Sequence, residues 1–230
     1  MDAMPMPRGM MSMAWMPMCG QSWIGAAASF LGMWTVMMAA MMLPSLTPRL
    51  WRYRQDVAGA AGLAALLPAV FVIAGYLLVW TAIGAAIYPL GAVAMNVTMR
   101  YPVLARAIPI ATGLVVFAAG ALQFTRWKAH HLARWRSDGR ARTGCRHSPA
   151  ATLFAAWRHG LWLGLHCSQS CAGLTVALLV AGIMDWPVML AVTAAINLER
   201  LAPGGERCAR LIGAVVIGAG LLVMVRAAGV

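Results

Sequence analysis

The sequence predicts an all-α fold, a polytopic transmembrane helical bundle of about six spanning helices. Three observations carry this expectation. The composition is 62% hydrophobic and only 10% charged over 230 residues, with a mean hydropathy of +0.75, outside the range of soluble globular domains. Apolar runs long enough to cross a ~30 Å hydrocarbon core recur along the chain. Basic residues gather in alternate linkers, as expected when positive loops stay on one side of a bilayer.

In chain order, uninterrupted apolar runs cover Ser22 to Leu43, Gly59 to Tyr88 and Val103 to Phe124, and a fourth extends from about Trp157 to Met184. Asp185, Trp186 and Pro187 then break the pattern, because proline cannot continue a helix without losing a backbone bond. The fifth segment, ending at Leu198, is short for a spanning helix, so a re-entrant segment there is an open alternative. The sixth covers Leu211 to Val225. Four parts follow: a Met-rich extracytoplasmic arm (1–21), helices one to three (22–125), a basic cytoplasmic linker (126–156) and helices four to six (157–230). The linker stretch His130 to Pro149 carries Gly139, Gly144 and Pro149 and reads as irregular. No internal repeat is visible.

The linkers after the first, third and fifth segments hold Arg49, Arg52, Arg54, Arg126, Lys128, Arg134, Arg136, Arg140, Arg142, Arg146, Arg158, Arg200, Arg207 and Arg210, which is fourteen of the 18 basic residues. Arg8, Arg100, Arg106 and Arg226 remain for the other side, so six crossings with both termini outside fit best. The net charge of +12 is then explained by loops facing anionic membrane lipid, and no nucleic-acid partner is expected. The first segment is expected to insert and stay, since no cleavable signal peptide is evident. Five cysteines, with Cys19 outside, Cys145 and Cys208 in cytoplasmic linkers and Cys167 and Cys171 in the membrane, do not form a disulfide framework. A nucleotide loop, a Ser-His-Asp set and paired carboxylates are all missing, which argues against a hydrolase or kinase.

The chemistry concentrates in HCSQSC, His166 to Cys171. Cysteines four apart on a helix share one face, about one turn or ~6 Å of axis from each other. Two or three sulfurs satisfy a soft monovalent ion such as Cu(I). His166 lies on the adjacent face and His159 two turns earlier. The competing explanation is close helix packing by small residues, with Gln169 bonded to a neighbour. In the first segment Met33, Met37 and Met41 repeat at i, i+4 and i+8 beside Met38 and Met42, a thioether stripe or ordinary membrane filler. Met1, Met4, Met6, Met10, Met11, Met13, Met16 and Met18 precede Cys19 in the arm, where thioethers suit capture of Cu(I) in an oxidising compartment. Cys145 and His147 with His130 and His131 form a less specific cytoplasmic set. Asp185 and Glu199 could cap helices, pair with Arg200 or Arg207, or relay protons.

Several stretches together resemble a bacterial family of predicted metal-binding integral membrane proteins of unknown function. They are WTVMMAAMMLP (Trp34 to Pro44), CRHSP (Cys145 to Pro149), GLWLGLHCSQSC (Gly160 to Cys171), GIMDWPVM (Gly182 to Met189) and ERLAPGGE (Glu199 to Glu206). In that family the central motif usually reads as a cysteine, two residues, a cysteine pair and a tryptophan. Cys167 and Cys171 match its outer cysteines, whereas Ser170 and Ala172 depart from it. A methionine or His166 would have to complete a three-ligand site. The resemblance implies a metal-binding protein of the bacterial inner (cytoplasmic) membrane.

The expected function is therefore copper(I) handling, whether binding, transport or delivery to a cuproprotein or another membrane subunit, and more a carrier than an enzyme. The expected metal residues are Cys167, Cys171, His166, His159, Met33, Met37 and Met41, for Cu(I) or another soft metal. The alternative is a membrane thiol-redox enzyme or assembly subunit using Cys167 and Cys171, and a third is a structural partner that binds nothing.

Overall fold

In the computed structural model, residues 22–57, 66–137, 149–183, 185–202 and 204–228 are described. They form seven helices: α1 (Trp23–Val57), α2 (Leu66–Arg100), α3 (Pro102–Leu122), α4 (Arg126–Ser137), α5 (Pro149–Ala181), α6 (Trp186–Leu201) and α7 (Gly205–Ala227). Among the described residues there is no strand, as the fold class read from composition requires. The described part of each of the six apolar segments is largely helical. α1, α2, α5 and α7 are long and apolar enough to cross a membrane; α3 and α4 together make a fifth if that bent pair is one span. α6 has 16 residues, below the length a spanning helix needs.

Helix ends follow local chemistry. α1 does not stop before Pro44 as expected but continues through Pro44 and Pro48, with Ser45 Oγ and Thr47 Oγ1 donating to the Met42 and Leu43 carbonyls. α5 ends at Gly182, whose φ of 127° lies where side chains are strained. Asp185 then caps α6, accepting from the Val188 N–H at 3.5 Å. This is the capping role its position before Pro187 had offered.

Part of the linker stretch expected to be irregular is helical. Residues 126–137 form α4, set at 63° to α3. Thr125 makes the corner: its hydroxyl donates to the Leu122 carbonyl at 2.7 Å and accepts from the Lys128 N–H at 3.3 Å. Sequence patterning concealed this because α4 is basic on its surface while Leu132 and Trp135 are buried. The Met-rich arm and Cys145–Ser148 lie outside the described residues.

Glycines set the closest packing. On α5, a Cβ at Gly160 would collide with the Val72 backbone of α2. Gly113 and Gly120 of α3 meet Gly220 and Gly213 of α7 in the same manner, close approach by small residues being the usual way apolar helices associate without a solvent-driven force. α1, α2, α5 and α6 enclose the main core, which holds Trp34, Met38, Met42, Tyr76, Trp80, Cys167, Cys171, Leu174 and Ile196.

Candidate metal centre

Helical spacing puts Cys167 and Cys171 on the same side of α5, and both are fully buried free thiols. The Cys171 thiol donates to the Cys167 carbonyl one turn back at 3.0 Å. Tyr76 of α2 shares a 3.0 Å hydrogen bond with the Cys167 sulfur, and the Thr175 hydroxyl donates to the Cys171 sulfur at 3.6 Å. Two soft donors thus lie one turn apart in the buried core.

The methionines of α1 face the same core. Met38 and Met42 are completely buried, Met37 and Met41 nearly so, and Met33 is half-buried at the edge. Thus of the expected stripe, Met37 and Met41 join the thiols in one core, while the flanking Met38 and Met42 lie deepest. Trp34 fixes α1 against α2 by donating its indole N–H to the Trp80 carbonyl at 2.9 Å. Gly84 accommodates that indole, since a Cβ there would lie 2.5 Å from the ring. Asn197 of α6 donates to the Met41 carbonyl at 3.1 Å.

His159 and His166 are placed differently. Both are half-buried and flank the exposed Trp162, whose ring centroid lies 6.3 Å from His159 and 3.9 Å from His166. His166 Nδ1 pairs with the Trp162 carbonyl at 3.0 Å. Among the described residues no three His, Cys, Asp or Glu side chains come together as a metal cage. The histidines therefore stand apart from the thiol pair.

A polar layer borders the sulfurs, built from residues assigned above to loops or left without a role. Arg200, in the last turn of α6, is buried. Its Nη1 donates to Ser45 Oγ at 3.1 Å and to the Met42 sulfur at 3.5 Å; its Nη2 donates to the Cys167 carbonyl at 3.0 Å and to Ser170 Oγ at 2.7 Å. One guanidinium therefore touches the methionine stripe and the cysteine helix together. Its plane also lies 4.3 Å from the Trp135 ring centroid of α4. Glu199 pairs with Lys128 of α4. Lys128 holds it at 2.6 Å and also donates to the Ser170 carbonyl at 2.5 Å. Charge patterning places Lys128 and Arg200 in linkers facing anionic lipid, whereas both are buried, Lys128 against the Ser170 carbonyl and Arg200 against the Cys167 carbonyl. The signal was present in adjacent opposite charges, Glu199 and Arg200, ending a helix that a cap at Asp185 starts.

The profile of the PpoB2 copper chaperone family matches residues 31–223. The chain belongs to this copper chaperone family. No curated protein and no solved structure matches it. For a member of a copper chaperone family the donor set is chemically apt. Thiols and thioethers are soft ligands that favour Cu(I) over hard divalent ions, and two or three of them satisfy it. The match spans the methionine stripe, both cysteines and Arg200.

Proposed function

We propose that the protein is an integral membrane carrier that binds Cu(I) between Cys167 and Cys171, takes a thioether of α1 as a third donor, and hands the ion to a cuproprotein. The observation that carries this is the environment of Arg200. It is a buried cation whose hydrogen-bond partners, Met42, Ser45, the Cys167 carbonyl and Ser170, are all uncharged. A buried charge without a counter-charge is costly. Two thiolates around Cu(I) carry one net negative charge, which this guanidinium offsets.

The methionines supply the exchange. A neutral thioether binds Cu(I) more weakly than a thiolate, so Met33, Met37 and Met41 give a graded path along α1 toward the thiols, with Met38 or Met42 as the inner third donor. The arm at 1–21 collects the ion on the extracytoplasmic side of the inner membrane, and the basic segment at 126–156 lies on the cytoplasmic side. His159 and His166 act on the approach and not in the inner shell. Long apolar helices support the membrane placement, and the family match supports the cargo.

The test is anaerobic Cu(I) loading of the detergent-purified protein beside a Cys167→Ser/Cys171→Ser variant. The wild type is expected to retain about one ion per chain and the variant none. Equal retention by both contradicts the reading, and conversion of the pair to a disulfide without copper binding would favour the thiol-redox alternative.

A further inference from the structure

We infer that Arg200 determines the charge of the ion this site accepts, making the buried dithiol selective for a monovalent soft cation over a divalent one. The inference rests on the thiol site proposed above. Ligation through Cys167 and Cys171 releases one proton from each thiol, because thiolate is the form that binds. The two thiolates then contribute two negative charges. A monovalent ion leaves one negative charge, which Arg200 cancels. A divalent ion neutralises both thiolates and leaves Arg200 as an uncompensated charge in a low-dielectric core, which is unfavourable.

The neighbouring charges do not alter this count. Lys128 and Glu199 form a buried pair at 2.6 Å, so with Arg200 the three side chains carry one net positive charge whichever ion is bound. Arg49 stacks on Trp135, 3.9 Å from the ring centroid, but is half-buried, where solvent screens it. Tyr76 hydrogen-bonds the Cys167 sulfur at 3.0 Å, and a phenol adds no charge near neutral pH. Arg200 is also held rigidly: each terminal nitrogen has two acceptors, drawn from α1 and α5, the helices that carry the sulfurs. A guanidinium fixed by four contacts cannot swing away when the wrong ion enters.

The inference predicts opposite signs for two ions in one variant. Ag(I) serves as the monovalent probe and Cd(II) as the divalent one, offered together at equal concentration to the detergent-purified protein, with bound metal counted after gel filtration. Arg200→Gln is expected to lower Ag(I) and raise Cd(II), shifting their ratio by at least about tenfold toward Cd(II). Ser45→Asp places a carboxylate beside Nη1 without removing the guanidinium and is expected to shift the ratio the same way. Arg200→Lys keeps the charge and is expected to keep the wild-type preference. An unchanged ratio in the folded Gln and Asp variants, or a parallel loss of both ions in both, overturns the inference while leaving the thiol site standing. If instead the wild type and the double cysteine variant bind Ag(I) equally, the thiol site itself is wrong.

Discussion

Lys128 and Arg200 are two buried cations that meet at the same residue, Ser170, yet they are handled in opposite ways. Lys128 donates to the Ser170 carbonyl and is paired with Glu199, an ion pair tying α4, α5 and α6 together. Arg200 donates to the Ser170 hydroxyl, and its four hydrogen-bond acceptors are all neutral. The difference teaches that burial of charge in this core serves two purposes. One cation joins helices, and the other leaves its positive charge available to the sulfur pocket.

The comparison can be broken most severely at the paired cation. Glu199→Gln leaves Lys128 buried without its counter-charge and is expected to cost about 3–5 kcal/mol of stability in denaturant unfolding in detergent. The Lys128→Met/Glu199→Gln double variant should recover most of that loss, since replacing a whole buried pair by apolar groups is often neutral. A smaller structural effect is expected at the helix contact that positions α5: Gly160→Ala, meeting the Val72 backbone, should destabilise by about 1–3 kcal/mol by the same assay.

The sulfur side sharpens the comparison with gentler changes. Met42→Leu keeps volume but removes an acceptor of Arg200 and an inner thioether. Stability should change by less than about 1.5 kcal/mol, while Cu(I) affinity, measured by competition with a chromophoric chelator, should fall. The smallest effect is expected at His166→Ala. That ring packs on Trp162 and pairs with its carbonyl, so copper stoichiometry should stay at the wild-type level; a loss would bring the histidine into the inner shell.

Much of this was legible in the sequence, and the part that was not has physical causes. The helical class, the break at Asp185–Pro187 and the shortness of α6 follow from hydropathy, proline and helix length. The single face shared by Cys167 and Cys171 follows from the 3.6-residue period, and so does burial of the methionine stripe. Which methionines lie deepest did not follow, because five of them within Met33–Met42 cover about half of the helix circumference. The polar layer was hidden for a different reason. Lys128 and Arg200 sit in basic, loop-like stretches, and only the corner at Thr125 and the inward turn at the end of α6 bring them under Ser170. Charge patterning assigns such residues to solvent, and it cannot see which of them a bend folds back into the core.

Copper K-edge X-ray absorption of the Cu(I)-loaded wild type tests the central claim most directly. The account predicts a first shell of two or three sulfur scatterers with no nitrogen or oxygen contribution, lost in the Cys167→Ser/Cys171→Ser variant. A shell dominated by imidazole nitrogen, or one unchanged by that double substitution, would contradict it.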